Sequence, residues 1–283
     1  MSVGRERGSD RVLVIGGGIA GLAAAWRLQH SGLDVAVLEA RDRVGGRLWT
    51  AYDYGRFPVE LGAEFIHGDR VITWRFLERY GLRTLDDPSQ DRRYVGVDGR
   101  VFPSEELSRP LGEGIFAPLG RASEEWFAAG KPDTDLTTAL RWWAQEQGIV
   151  LTPQLWDLWQ TLASIGWSAD LEEIGVYGDV EATYEGDGWR NWRIVEGQQA
   201  LAERLAAELG ASVRLGCAVQ RIDWSGDGVR VVTRDSVMTA DWVIVALPLG
   251  VLQSGEVEFV PGLPAELQEA IVRLSPGYSM KIV

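Results

Sequence analysis

The stretch Val12–Arg47, VLVIGGGIAGLAAAWRLQHSGLDVAVLEARDRVGGR, restricts the fold of this chain more than any other. Val12-Leu13-Val14-Ile15 is a short apolar run with β-branched residues, as expected of a strand buried on both faces of a parallel sheet. Gly16-x-Gly18-x-x-Gly21 follows without a gap. Ile19 to Gln29 is rich in Ala and Leu and reads as a helix that Gly32 closes. A second apolar run, Val35 to Leu38, ends in Glu39. The order is strand, glycine turn, helix, strand, acid.

Each part has a physical reason. Gly16 permits a tight turn, Gly18 lets the backbone approach a diphosphate, and Gly21 lets helix and strand pack closely. The helix start offers unpaired N–H groups and the positive end of a dipole. Glu39 stands about 20 residues on, where a carboxylate accepts ribose hydroxyls and repels a 2′-phosphate. The chain is therefore expected to be α/β, with a Rossmann-like dinucleotide-binding domain.

The residues after Glu39 narrow the cofactor. Arg43, Gly45, Gly46 and Arg47 add two glycines and two guanidinium groups beyond the second strand, and Arg47 is suited to reach back to a diphosphate. This extension, the segment Val59-Glu60-Leu61-Gly62-Ala63-Glu64-Phe65-Ile66-His67-Gly68 and the late segment Tyr278–Val283 together resemble the flavin-containing amine oxidases: monoamine oxidases, polyamine oxidases and flavin histone-lysine demethylases. The resemblance implies FAD, held without a covalent link. It implies cofactor contacts at Gly16, Gly18, Gly21, Glu39, Arg41, Arg43, Gly46, Arg47, Gly62, Ala63, Glu64, Val219 and Ala246. It also implies catalytic roles for His67, near the substrate amine, and Lys281, which in relatives holds a water against flavin N5. Gly62 and Ala63 are small enough for a flat ring to lie against them. Glu64 also reads as the partner of a nearby arginine. No metal site is read.

The resemblance further implies a mainly helical α+β substrate domain inserted into the FAD-binding domain. The expected division is 1–82 and 190–255 for the FAD-binding domain, and 83–189 and 256–283 for the substrate domain, incomplete at its C-terminus. Between about residues 105 and 175 the pattern is helical, divided by Pro110, Pro118, Pro132 and Pro153. Six of the 13 tryptophans fall here (Trp126, Trp142, Trp143, Trp156, Trp159 and Trp167). They read either as core or as an aromatic wall for an amine. The acids Asp179, Glu181, Glu185 and Asp187 read as a solvated loop or as carboxylates for a polyamine. Past Val195-Glu196-Gly197, relatives usually carry a second glycine where Gln198 stands. A helix over Leu201–Leu209 is expected, then strands at 212–215, 218–224, 229–233 and 242–247, and a helix over Pro264–Leu274.

Composition excludes some partners. With 28 Lys and Arg against 41 Asp and Glu the net charge is −13, which disfavours direct nucleic-acid binding and suits a cationic substrate. A solvated acidic surface explains the same excess. Cys217 stands alone, so no internal disulfide forms, in keeping with a cytoplasmic location. No apolar run reaches the ~18 residues of a membrane span.

The expected function is FAD-dependent oxidation of an amine, polyamine-like by preference. A hydride passes from the α-carbon to flavin N5, the imine is hydrolysed, and O2 becomes H2O2. An L-amino-acid oxidase, or a non-catalytic flavin-binding module acting through a partner, remain alternatives. Full members of the family continue well past a lysine like Lys281. The chain is therefore expected to be a fragment, or one chain of a two-chain enzyme whose missing C-terminal half comes from a partner.

Overall fold

The structure is a computed structural model, and it describes residues 10–87, 94–97, 99–103, 116–181 and 190–277. Its first unit is β1 (Arg11–Ile15), α1 (Ile19–Gln29) and β2 (Asp34–Leu38). Short extended pieces follow: β3 (Thr50–Ala51), β4 (Val59–Glu60) and β5 (Ile66–His67). Helix α2 (Thr73–Tyr80) ends at Gly81, whose left-handed φ of 62° closes it. Then come β6 (Thr84–Asp86) and the paired strands β7 (Tyr94–Val97) and β8 (Arg100–Pro103).

The helical region comprises α3 (Ala117–Ala128), α4 (Leu136–Glu146), α5 (Pro153–Trp167) and α6 (Val176–Glu181). Pro118 and Pro153 lie in first turns and start their helices. A missing N–H costs nothing there. The side chains of Asp135 and Thr152 cap α4 and α5. The chain returns through β9 (Asn191–Ile194), α7 (Gln198–Leu209), β10 (Val213–Arg214), β11 (Val219–Gly226), β12 (Gly228–Thr233), β13 (Val237–Ala240) and β14 (Trp242–Val245). It continues with α8 (Leu249–Ser254), β15 (Glu258–Val260) and α9 (Ala265–Arg273).

A parallel sheet of order β10-β2-β1-β14 carries the fold. Successive side chains of a strand point to opposite faces, and here they enter two separate cores. Val12, Val14, Val35 and Val37 pack with Leu22 and Ala25 of α1 and Leu201, Ala202 and Leu205 of α7. Leu13, Ile15, Ala36 and Leu38 pack with Val219, Ile222, Val231 and Met238. That second face is covered by a sheet of order β13-β12-β11-β15. Burial on both faces explains why β1 and β2 are almost uninterruptedly apolar. Strand β14 is equally apolar but lies at the sheet edge, with Trp242 63% exposed.

A third core belongs to the helical region alone. It joins Leu119, Trp126, Leu136, Leu140, Trp143, Trp159 and Leu162. Trp159 is fully buried, and Trp143 meets it edge-on at 6.3 Å. These indoles are core residues. Trp126 and Trp142 flank the ammonium of Lys131, at 5.0 and 4.9 Å. Trp156 is covered by Arg141 at 4.3 Å.

Strand pairs cross two boundaries of the expected division. Strand β15 pairs with β11, so the sheet runs across the expected boundary at 255/256. Strand β6 pairs with β9, in a three-stranded sheet of order β5-β9-β6 that crosses the boundary at 82/83.

Candidate dinucleotide site and its flanking histidine

The three fingerprint glycines stand in three different steric settings. Gly16 has φ +108°, and a Cβ there would lie 2.6 Å from the carbonyl oxygen of Ala246. Ala246 is itself fixed, its N–H donating to the Ile15 carbonyl at 2.8 Å. A Cβ on Gly21 would overlap the Gly16 carbonyl. A Cβ on Gly18 would meet nothing within 4 Å. Gly18 is the N-cap of α1, extended, without a side-chain cap and without an acid in the first turn. The first turn of α1 therefore opens onto a bare cradle of amide donors, which is the donor set a diphosphate requires.

Glu39 stands beside that cradle, 8% exposed. Its Oε2 accepts the Gly17 N–H at 2.6 Å and its Oε1 accepts the Arg41 N–H at 2.9 Å. Two amides thus fix the plane of the carboxylate, and each oxygen keeps accepting capacity for a sugar hydroxyl. Val219 is buried in the same neighbourhood, two residues beyond Cys217, whose N–H donates to the Glu39 carbonyl at 2.8 Å. The residues present fit a dinucleotide cofactor.

The Gly45-Gly46 loop closes against this turn. The Gly45 N–H donates to the Gly17 carbonyl at 2.9 Å, and Gly46, with φ +58°, approaches the Gly18 backbone. Arg43 does not project from the loop. Its guanidinium donates to the carbonyls of Val44, Gly46 and Leu48 at 3.2, 3.0 and 3.3 Å and lies 4.8 Å over Trp49. Burial, with Arg41 adding to it, lowers the Arg43 pKa. Arg43 shapes the loop from inside, whereas Arg41 and Arg47 are exposed beside it.

Gly62 has a reason of its own. A Cβ there would overlap the Arg47 carbonyl, while the Ala63 N–H donates to that same oxygen at 3.0 Å. The small residues let two backbone segments touch, whatever else lies over them. Glu60 ties these segments to α7. One oxygen accepts the Thr50 hydroxyl and the other the Gln198 N–H, both at 2.7 Å.

His67 is held from β9. Its Nδ1 lies 2.7 Å from the side-chain oxygen of Asn191, which is 6% exposed. Glu64 is ion-paired with Arg193, which also donates to Asp87 at 3.0 Å and stacks on Phe65 at 4.5 Å. Burial pulls the Arg193 pKa down, but the bonds to both carboxylates outweigh it and leave it raised. Asp179 accepts the indole N–H of Trp167 at 2.8 Å.

Gly16, Gly18, Gly21, Glu39, Gly46 and Ala246 are thus brought together at the C-terminal ends of β1 and β2. His67 and Glu64 belong to the β5-β9-β6 side. Lys281, Glu185 and Asp187 lie outside the described residues. Asn191, Arg193 and Asp87 carry no signal in the sequence, and Gln198 shows there only as a departure at a glycine position. Their partners are distant in sequence, and the start of the strand that carries Asn191 and Arg193 reads as part of the glycine-rich acidic loop before it. Among the described residues no group of three His, Cys, Asp or Glu side chains gathers as a metal site, and no helix is long and apolar enough to cross a membrane.

Residues 19–283 match the family model of the flavin containing amine oxidoreductases. Polyamine oxidase 2 of Arabidopsis thaliana is 32% identical over 300 residues, covering 97% of this chain and 58% of its own length. Lysine-specific histone demethylase 2 of Homo sapiens is 29% identical over 96% of this chain and 34% of its own length. Among solved structures, cyclohexylamine oxidase from Brevibacterium oxydans IH-35A aligns with a TM-score of 0.76 at 22% identity, over 94% of this chain and 63% of that one. Wild-type putrescine oxidase bound to putrescine aligns with a TM-score of 0.72 at 21% identity, over 93% and 63%. The chain spans 58–60% of the length of two polyamine oxidases that it matches.

Proposed function

The chain belongs to the flavin containing amine oxidoreductase family, and from that premise we propose that it serves an FAD-dependent amine oxidase. The observation that carries the proposal is the buried Glu39 carboxylate, oriented by the Gly17 and Arg41 amides beside the uncapped start of α1. In this reading Gly18 and the first turn of α1 hold the diphosphate and Glu39 holds the adenosine ribose. Arg41 and Arg47 add positive charge beside the diphosphate, and Gly62, Ala63 and Glu64 run along the flavin. Arg43 acts indirectly, by fixing the loop that carries Gly46.

Bound FAD supplies two-electron oxidation of an amine at its α-carbon, with O2 as the final acceptor. The chain supplies orientation and proton handling. The Asn191 side-chain oxygen faces His67 Nδ1, so Nδ1 donates to it and Nε2 carries the basic lone pair of the ring. His67 Nε2 then takes a proton from the substrate ammonium and leaves the amine neutral and oxidisable. Lys281 retains its proposed role of holding a water at the flavin.

Within amines we propose a polyamine-like substrate. The polyamine oxidases at 32% identity and the net charge of −13 support that preference. We propose the same FAD-binding and substrate-binding division as expected from the sequence, with the boundaries moved to respect the sheets that cross them.

The test is direct. FAD is titrated into the protein, and peroxide release is followed with spermine, putrescine, benzylamine and L-amino acids. Flavin uptake with peroxide from amines is expected, fastest with the polyamines. A protein that stays colourless in excess FAD overturns the assignment. Flavin uptake without peroxide from any amine leaves a binding module in its place. Lys281→Met should slow turnover while leaving FAD uptake unchanged.

A further inference from the structure

We propose that Gln198 is a further cofactor-contacting residue, whose buried carboxamide donates a hydrogen bond to bound FAD; this rests on the flavin reading above. Gln198 opens α7 and is 4% exposed. Its Nε2 is buried and has no hydrogen-bond partner. Its neighbour Gln199 is fully engaged by contrast: its side-chain oxygen accepts the Thr50 N–H and its amide donates to Glu203 at 2.8 Å. A buried donor without an acceptor is destabilising, and native structures rarely leave one.

The position of the orphan donor names its acceptor. Residues four apart share a helix face. Ala202, four residues on from Gln198, faces Gly45, with its Cβ 3.5 Å from where a Gly45 Cβ would stand. Gly45 is bonded to Gly17 of the dinucleotide turn. The Gln198 backbone is held by Glu60, two residues before Gly62. The carboxamide therefore lies where the Gly45–Leu48 loop and the Glu60–Ala63 segment converge, and both are proposed here as cofactor segments. FAD offers only acceptors suited to a neutral N–H along this path: diphosphate oxygens, ribityl hydroxyls and ring carbonyls.

The experiment compares the wild-type protein with Gln198→Met, which keeps the shape and removes the donor. Dissociation constants for FAD, FMN and riboflavin are measured by flavin fluorescence, and the apoprotein is melted separately. FAD binding is expected to weaken about three- to tenfold, the range of one neutral hydrogen bond. The apoprotein Tm should be unchanged or higher, because no formed bond is lost. A loss shared by riboflavin puts the acceptor on the ring or ribityl chain, and a loss confined to FAD and FMN puts it on phosphate. Gln198→Glu, which also adds a negative charge, should weaken FAD binding further. Unchanged FAD affinity in Gln198→Met overturns the proposal, as does a lowered apoprotein Tm with unchanged affinity, the signature of a bond to buried water. Wild-type protein that binds no FAD at all refutes the flavin reading instead, so the two failures are distinct.

Discussion

His67 Nδ1 lies 2.7 Å from the side-chain oxygen of Asn191. The pairing joins β5 to β9 across 124 positions of sequence, and it sets which ring nitrogen carries the proton. Asn191→Leu should leave the tautomer unset and lower kcat/KM for an amine by about tenfold, with FAD affinity unchanged. Asn191→Asp keeps an acceptor facing Nδ1 and should retain more of the wild-type kcat/KM than Asn191→Leu does. Wild-type kcat/KM in Asn191→Leu would remove His67 from the amine's environment.

Arg193 is shared between Glu64 and Asp87, whose carboxylate is only 7% exposed. Removing the guanidinium takes an ion-pair partner from a buried acid, which is destabilising even where the intact pair adds little. Arg193→Met should cost about 2 kcal/mol by urea unfolding. It should also leave the surface around His67 more negative. The KM for spermine should therefore fall relative to that for benzylamine, in a manner that rising salt abolishes. An unchanged ratio of the two KM values would place Arg193 outside the substrate's field.

The dinucleotide half of the molecule is legible in the sequence because its physics is local. One turn, one helix and two strands enforce one another within about 30 residues, and the helix Ile19–Gln29 has the bounds that its composition suggests. The reasons for individual residues were less legible. Arg43 reads as a cofactor residue in the sequence, and the three carbonyls that its guanidinium bonds are not visible there. Gly62 reads as a platform for a ring, and the Arg47 carbonyl in the place of its Cβ is a second reason for glycine that the chain order does not show. Asn191 and Arg193 carry no signal in the chain order, and Gln198 only that of a missing glycine, since each acquires meaning from a partner more than a hundred residues away. The strands Val237–Ala240 and Glu258–Val260 were missed for the same reason: pairing, not propensity, makes them.

Glu208 gathers Arg79, Tyr80 and His30 onto α7 at 2.5, 2.6 and 3.1 Å. The Arg79 bond, with that of Tyr80, holds the Glu208 carboxyl down at about 2, against an ordinary 4.5. Burial and the bond to Glu208 push the Tyr80 phenol up to about 12, against an ordinary 10. The contribution of Glu208 is therefore present above about pH 4.5 and is lost as the pH falls towards 2. That of Tyr80 is present below pH 10 and is lost as the pH rises towards 12. Glu208→Gln should lower unfolding free energy by about 1 kcal/mol at pH 7. The difference from wild type should shrink as denaturation is repeated down to pH 3. A difference that does not change with pH would show that packing of the side chain, not its charge, links α1, α2 and α7.

Gly18 and Gly62 separate binding from folding. A methyl on Gly18 enters open space and contacts nothing within 4 Å, and the residue's backbone is already one that alanine adopts. Gly18→Ala should therefore leave the apoprotein Tm within about 2 °C of wild type. The same methyl occupies the cradle where the diphosphate must approach the backbone, so FAD affinity should fall at least tenfold. Gly62→Ala has the opposite signature. Its methyl has no room beside the Arg47 carbonyl, and relieving the overlap means separating two hydrogen-bonded segments. Destabilisation of about 3 kcal/mol or more is expected with or without cofactor. The two melting curves and two FAD titrations are read together. If Gly18→Ala bound FAD as wild type does, the diphosphate would not lie over the start of α1. The assignment of the cofactor to this turn would then be wrong even in a protein that holds flavin elsewhere.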